Sequence, residues 1–160
     1  MKSLKSLILI FLLFPSLSIA QTFAVGIVVG KTEKEVTEYF NQLIKLSNNR
    51  QLRIEKDVSP SGDLVLTIGF PINEEKFFTC TTILAMFSRS SAGLEVCVRQ
   101  GLIGSSEYAQ PNLSFIKDTF KFVSENTWEK PLEKIPAFKI QAKFTKVDSD
   151  GYTIVYDLIE

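Results

Sequence analysis

The sequence predicts a single α+β domain, in which an antiparallel β-sheet built from hairpins carries two amphipathic helices packed on one face. Short turn sequences separate segments that alternate apolar and polar residues, and strands joined in this way pair antiparallel. Two other stretches repeat apolar residues at helical spacing. The length of 160 residues suits one domain with a sizeable core. The sheet face away from the helices is expected to carry Lys, Glu, Gln and Thr and to stay in water.

The first twenty residues have the composition of a secretory signal peptide. Lys2 and Lys5 form a charged start, and residues 7–14 are an apolar run. Ser18 and Ala20 place small residues at the −3 and −1 positions of a cleavage site. The apolar run is shorter than the roughly 20 residues that a membrane-spanning helix needs.

Two regions of the chain are therefore distinguished. Residues 1–20 are predicted to be removed, and residues 21–160 are predicted to form the single α+β domain. We expect the mature protein to be exported, either periplasmic or secreted, with no stable membrane insertion after the signal peptide is removed.

The charged residues argue against several classes of function. Without Lys2 and Lys5, the 18 basic residues become 16 against 18 acidic ones, a net charge of about −2. Such a chain lacks the basic surface of a nucleic-acid-binding protein. The chain contains no histidine, so Ser-His-Asp and Cys-His mechanisms and imidazole-ligated zinc sites are excluded.

The first strand and the first helix are predicted near the start of the mature chain. Thr22–Val29 is β-branched and apolar, which favours a strand, and Gly30 ends it. Thr32 and Glu35 have the spacing of a capping box. Apolar residues at helical spacing follow, so an amphipathic helix is predicted over residues 33–47.

The next segments predict two hairpins. Residues 52–58 and 64–70 alternate on either side of a Ser-Pro-Ser-Gly turn, which predicts the first hairpin. Residues 77–100 are predicted to form the second, turning near residues 90–93, because their threonines and phenylalanines favour strand. A helix over residues 74–88 is the alternative.

A loop and a second helix follow. Residues 101–110 are rich in small residues and are predicted to form a loop. Leu102, Ile103 and Tyr108 within it would either pack beneath the loop or contact a partner. Pro111 opens a predicted helix that runs to about residue 125.

The end of the chain predicts a linker and a third hairpin. Residues 126–136 are predicted to be a linker packed by Trp128. Residues 138–144 and 152–158 alternate on either side of the turn sequence at 148–151, which predicts a β-hairpin.

The two cysteines, Cys80 and Cys97, leave two alternatives open. An oxidising compartment favours a disulfide, which would add about 3 kcal/mol of stability. A hairpin turn centred at Ser91 instead places Cys97 opposite Ala85, or opposite Leu84 if the turn shifts slightly, with Cys80 roughly 13–16 Å further along the strand. That separation exceeds the roughly 7 Å between Cα atoms that a disulfide allows. A shifted turn, a bulge or a helical first segment would restore the bond.

Three short motifs resemble known sites only in part. Residues 148–151 lack the flanking helices of a calcium loop, and Lys146 stands where such a loop needs a carboxylate. The Gly101–Ser106 stretch lacks the Gly-Lys-Ser/Thr ending of a phosphate-binding loop. Asn112 begins a formal glycosylation sequon. We therefore predict no catalytic, cofactor-binding or metal-ligating residues and no cofactor.

The function that fits these observations is a small, exported, non-enzymatic domain that binds a protein, a peptide or an apolar ligand. The binding surface would be the open sheet face or the 101–110 loop, and a pocket between the helices and the sheet is also compatible with the sequence. One alternative is a structural component of the cell envelope or of a secretion system. The other is a hydrolase that uses carboxylates, of which Glu95 is the one placed in a predicted strand. The remaining candidate carboxylates are Glu74, Glu75, Glu107, Asp118, Glu125 and Glu129.

Overall fold

The computed structural model describes residues 24–47, 51–89, 93 and 95–160, so the predicted signal peptide lies outside the described residues. The described chain is an α+β fold, as predicted, with one antiparallel sheet of eight strands. The helices are α1 (Glu33–Ser47), the single turn α2 (Glu75–Phe78) and α3 (Ala109–Thr119). The strands are β1 (Glu55–Val58), β2 (Leu64–Gly69), β3 (Thr82–Arg89), β4 (Glu95–Ser105), β5 (Lys121–Ser124), β6 (Thr127–Pro131), β7 (Lys139–Lys146) and β8 (Gly151–Ile159).

The order of the strands in the sheet is symmetric. It runs β1-β2-β3-β4-β8-β7-β6-β5, so each half of the chain contributes a meander of four strands. The last strands of the two meanders, β4 and β8, pair antiparallel at the centre. A long helix precedes each meander, α1 in the first half and α3 in the second. The two halves therefore share a layout that their sequences do not reveal as a repeat.

Both long helices pack on one face of the sheet, which we call the helix-bearing face. Val36 and Phe40 of α1 and Ile116 of α3 belong to the same buried cluster as the inward-facing strand residues. These strand residues are Leu66, Ile68, Ile83, Ala85, Phe87, Leu102, Trp128, Ile140, Ala142, Tyr152, Ile154 and Tyr156. Their alternation along each strand is the period of two that places every second side chain on the same face.

The first and third hairpins are confirmed. The first is β1 paired with β2. The third is β7 paired with β8. In its turn, Asp148 Oδ1 accepts backbone hydrogen bonds from Asp150 at 2.8 Å and Gly151 at 2.6 Å. Helix α1 begins with the predicted capping box, since Thr32 N–H donates to Glu35 Oε2 at 2.8 Å.

The predicted second helix is too long, and the predicted linker is wrong. Helix α3 ends at Thr119, and Phe120 already has an extended backbone. The following residues form the edge hairpin β5–β6, in which Phe122 lies opposite Trp128. Asn126 turns the chain there with a positive φ of 56°. The apolar spacing of this segment, including Phe120 and Phe122, is compatible with a helix and with a strand. Pairing with β6 favours the extended conformation.

The predicted 101–110 loop is also wrong. Residues 101–105 continue β4, and residues 106–110 form a 3₁₀ turn and the start of α3. The glycines here allow close packing within the sheet. A Cβ on Gly104 would lie 2.9 Å from Cys80 Cα, and a Cβ on Gly101 would lie 3.0 Å from Leu84 Cγ. Leu102 is fully buried.

The strand and helix alternatives for the start of the second hairpin are each correct for part of the segment. Residues 75–78 form the single turn α2, and Thr79 ends it with a positive φ of 61°. Residues 82–89 form strand β3, paired with β4 as predicted.

The two cysteines are free and buried. The predicted register is wrong, because Cys97 lies opposite Phe87 rather than Ala85 or Leu84, next to a bulge in β4. Cys80 instead packs against Gly104. Seven residues of strand separate Gly104 from Cys97, which corresponds to roughly 23 Å. The described geometry therefore contains no disulfide between them.

Candidate functional site

Residues 24–31 run over the helix-bearing side of the sheet and form one wall of the candidate site. The predicted strand is wrong over residues 24–29, which have no regular secondary structure, and residues 22 and 23 lie outside the described residues. Gly30 and Lys31 contact the β4 backbone: Gly30 N–H donates to Cys97 O, and Cys97 N–H donates to Lys31 O, both at 2.8 Å. The rest of this segment is held by side chains.

Gln100 supplies the central contacts to this segment. Its Oε1 accepts from Val28 N–H at 2.9 Å, and its Nε2 donates to Gly26 O at 3.0 Å. Gln100 is fully buried on β4. Tyr39 of α1 adds a third contact, since its hydroxyl accepts from Gly26 N–H at 2.7 Å. Burial raises the pKa of Tyr39, so the hydroxyl stays neutral at physiological pH.

A second buried polar group holds the start of the segment. Asn112 Oδ1 accepts from Val25 N–H at 3.2 Å. Its Nδ2 donates to Thr79 Oγ1 at 2.7 Å and to the Tyr152 hydroxyl at 3.0 Å. Tyr152 in turn donates to the carbonyl of Thr79. Asn112, the first residue of the sequon, is therefore a buried structural side chain.

An apolar groove lies between this segment, α3 and the loop after β6. Its volume is about 280 Å³. Its apolar lining consists mainly of Ile27, Val29, Phe115, Leu132 and Ile140. These side chains are buried or half-buried, and they come from four separate parts of the chain. The groove is a pocket between the helices and the sheet, which the sequence left as a possibility without indicating its position.

The loop from Leu132 to Phe138 forms the second wall of the groove. It closes on itself, since Leu132 N–H donates to Phe138 O at 2.9 Å and Ile135 N–H donates to Leu132 O at 3.1 Å. Leu132 packs against Gly30, where a Cβ would lie 3.1 Å from both Leu132 methyl groups. Gly30 also has a positive φ of 81°, so glycine meets both a backbone and a packing requirement there.

Three lysines, Lys31, Lys130 and Lys134, line the groove together with a single carboxylate, Glu133. Lys130 Nζ lies 3.7 Å from Glu133 Oε1, and Lys134 Nζ lies 3.8 Å from Glu35 Oε1. Lys31 Nζ lies 5.8 Å from the centre of the Tyr39 ring. Hydrogen bonds from Thr32, with smaller contributions from Lys134 and Lys31, lower the pKa of Glu35.

A larger cleft of about 580 Å³ lies beside the start of α1. Charged and polar side chains make up most of its lining, and Leu64 and Phe87 are its apolar members. Its polar lining is Thr32, Glu33, Lys34, Asp63, Ser88, Arg89 and Glu95. Ligand pockets are predominantly apolar with a few polar groups. The groove matches that composition better than the cleft does.

The open face of the sheet is less polar than the sequence predicted. In the first half it carries half-buried apolar side chains, among them Val65, Leu84 and Met86. In the second half it carries charged and amide groups. Arg99 Nε lies 2.6 Å from Asp157 Oδ1 across the central strand pair. This face is the other candidate binding surface, while the 101–110 loop is not one, because it does not exist as a loop.

The carboxylates considered for hydrolysis have separate environments. Glu75 is the most buried of them, at 1% exposed, whereas Glu95 is exposed. Both oxygens of Glu75 accept hydrogen bonds from Ser105, one from its backbone N–H and one from its hydroxyl at 2.8 Å. Glu129 bonds Gln141 at 3.1 Å and Lys139 at 3.3 Å. Glu75 and Glu129 thus have structural partners, and they lie on different elements.

The cysteine thiols are poorly suited to chemistry in this structure. Burial raises the pKa of Cys80 and of Cys97 to about 12, so both remain protonated, whereas the reactive form of cysteine is the thiolate. Among the described residues, no group of three or more Cys, Asp or Glu side chains could hold a metal ion. No helix in the described part of the chain is long and apolar enough to cross a membrane.

Comparisons with protein-family models, curated proteins and solved structures found no match for this chain. The assignment of the groove as the candidate site therefore rests on its geometry alone. Of its lining residues, Phe115 lies in the predicted second helix and Ile140 in the predicted third hairpin. The sequence did not indicate that Ile27, Val29 and Leu132 would line a groove. The uninterrupted apolar character of residues 27–29 is the signal that was available, since it indicates burial on both sides.

Proposed function

We propose that this protein is an exported, non-enzymatic binding domain whose ligand is a small apolar molecule held in the groove. The observation that carries the proposal is the composition of the groove: five apolar side chains from four parts of the fold line a volume of about 280 Å³. Burial of alkyl groups there would drive binding at about 0.8 kcal/mol per CH₂ before the costs of association.

The way the groove is built also supports binding. One wall is fixed by hydrogen bonds in which the backbone N–H groups of Val25, Gly26 and Val28 donate to the side chains of Asn112, Tyr39 and Gln100. The opposite wall is a short loop closed by its own backbone hydrogen bonds. Sites held in this way before the ligand arrives bind more tightly, because less conformational entropy is lost on binding.

Export rests on the N-terminal sequence, whose charged start, apolar run and Ser18–Ala20 cleavage pattern are typical of secretory signal peptides. Expression of the full chain, followed by mass measurement of the protein outside the cytoplasm, tests it. A mature chain beginning at Gln21 is expected. An uncleaved chain retained in the cytoplasm would overturn this part of the proposal.

Calorimetric titration with octanol tests binding by the groove. Octanol is an uncharged alkyl chain, and we expect a dissociation constant of about 1 mM or tighter. Leu132→Asn places a polar amide in the groove wall and should weaken binding at least about tenfold.

The matched control is Leu84→Asn, which makes the same change at a half-buried leucine on the open face. It should leave octanol affinity within about twofold of the unchanged protein. Circular dichroism and the emission of Trp128, the single tryptophan, confirm that both variants are folded. Loss of binding in Leu84→Asn with retention in Leu132→Asn would move the site to the open face and contradict the proposal.

A further inference from the structure

We infer that the ligand of the groove is a single-chain anionic amphiphile, that is, one alkyl chain that ends in a carboxylate or a similar anionic group. The inference rests on the proposed function and adds the chemical class of the ligand. It depends on three features: an apolar floor, a basic rim and a volume suited to one short chain.

The rim is more basic than the protein as a whole. Three lysines and one glutamate line the groove, a local charge of about +2, whereas the full chain has 18 basic and 18 acidic residues. The lysines lie on both walls, Lys31 on the 24–31 segment and Lys130 and Lys134 on and after β6. An anion at the mouth of the groove would therefore have ammonium groups on two sides.

The ion pairs of these lysines are weak enough to be exchanged for a ligand. The Lys130–Glu133 and Lys134–Glu35 separations of 3.7 and 3.8 Å are long for direct ion pairs. The side chains of Glu133 and Lys134 are 85% and 82% exposed. Exposed pairs of this kind contribute about 0–1 kcal/mol, so a carboxylate that arrives with an anchored alkyl chain can compete with them.

The size of the groove limits the apolar part of the ligand. A volume of about 280 Å³ lies just below the roughly 300–1,000 Å³ found for ligand pockets. One short alkyl chain suits that space, and a two-chain lipid does not. The aliphatic stems of the lysines extend the apolar surface while their ammonium groups stay in water, which is the arrangement an amphiphile requires.

The test compares octanoate, octanol and octylammonium, which share a chain and differ in head group. We expect octanoate to bind at least about tenfold more tightly than octanol, and octylammonium more weakly than octanol. The Lys31→Gln/Lys130→Gln/Lys134→Gln variant should bind octanoate and octanol equally. Salt at about 1 M, where the Debye length falls to about 3 Å, should weaken octanoate binding alone.

A matched control is Lys121→Gln/Lys139→Gln/Lys143→Gln, which removes three lysines of β5 and β7 that do not line the groove. It should keep the preference for octanoate. Equal binding of octanoate and octanol by the unchanged protein would overturn the inference and leave the proposed function standing. Binding of neither would overturn both.

Vesicles of phosphatidylglycerol distinguish a free amphiphile from a membrane surface. The protein should not sediment with them in the presence of saturating octanoate. Sedimentation with vesicles together with no octanoate binding would assign the lysines to a lipid surface and contradict the inference.

Discussion

The side chain of Gln100 hydrogen-bonds the backbone around Val28 as the backbone of a neighbouring strand would. Gln100 Oε1 accepts from Val28 N–H at 2.9 Å, and Gln100 Nε2 donates to the carbonyl of Gly26 at 3.0 Å. Ile27 and Val29, which line the groove, flank Val28 on either side. The position of that wall therefore depends on a buried side chain of β4.

Replacement of Gln100 by leucine should destabilise the fold. The change keeps the approximate volume and leaves Val28 N–H and Gly26 C=O without their partner, at about 1–3 kcal/mol for each buried unpaired group. Urea unfolding followed by Trp128 emission measures it. Gln141→Leu is the matched control, since Gln141 bonds the half-buried Glu129 on the open face, and it should cost under about 1 kcal/mol. Equal losses in the two variants would contradict the assigned role of Gln100.

Two buried tyrosines on β8 should respond differently to replacement by phenylalanine. The Tyr152 hydroxyl donates to Thr79 and accepts from Asn112, so Tyr152→Phe should lower the free energy of unfolding by about 1–3 kcal/mol. The Tyr156 hydroxyl is buried with no partner among the described residues. Tyr156→Phe should therefore be neutral or stabilising by about 1 kcal/mol. Denaturant unfolding of both variants measures this difference, and a large loss in Tyr156→Phe would reveal a missing partner.

Stability should fall as the pH rises above about 9. Burial raises the pKa of both thiols from the usual 9.0 to about 12. The unfolded chain then loses protons near pH 9 while the folded chain keeps them until about pH 12, so stability is fully present below pH 9 and lost above it. Each thiol contributes a slope of up to roughly 1.4 kcal/mol per pH unit. Burial also raises the pKa of three tyrosines, Tyr39, Tyr152 and Tyr156, which extends the loss above pH 10.

The slope can be assigned with Cys97→Ala. The variant loses some packing at every pH, but between about pH 9 and 10 its stability should fall less steeply with pH, because only one of the two thiols still contributes to the slope. Urea unfolding at a series of pH values measures the slope, and the interval from pH 6 to 8 should show no difference in it. An unchanged slope between pH 9 and 10 would mean that Cys97 is not the buried thiol described.

Alanine variants of two glycines with positive φ distinguish the effect of backbone strain from the effect of packing in the groove. Gly30 and Gly62 have φ values of 81° and 89°, so alanine at either should cost about 1 kcal/mol or more. A Cβ at Gly30 would also displace Leu132, whereas a Cβ at Gly62 meets nothing within 4 Å. Gly30→Ala should therefore also weaken octanol binding, and Gly62→Ala should not. Equal octanol affinities in the two variants would exclude Leu132 from the binding wall.

Local sequence signals predicted the elements that depend on local contacts. The capping box at Thr32 and Glu35 starts α1, since its hydrogen bonds join residues three apart. The turn at Asp148 closes the last hairpin, because its carboxylate accepts from the backbone amides two and three residues later. Fold class follows from such elements, because hairpins in succession impose an antiparallel sheet.

The rest depended on partners far away in the chain. Residues 24–29 resemble a strand, yet Gln100 and Asn112, more than 70 residues away, provide most of the side-chain hydrogen bonds to their backbone. Gly101 and Gly104 resemble loop residues in the sequence. The packing that requires glycine at these strand positions involves Leu84, Cys80 and Glu75, which are distant in the chain. The groove was beyond prediction for the same reason, since its walls come from four separate segments.

A backbone amide NMR titration of the mature chain with octanoate shows where the ligand binds. The largest shift changes are expected in residues 27–31, around Phe115 and in residues 130–134, which surround the groove. Residues of the open face such as Leu84 and Met86 should change little. Shift changes centred on the open face, or none at saturating octanoate, would contradict the assignment of the groove as the binding site.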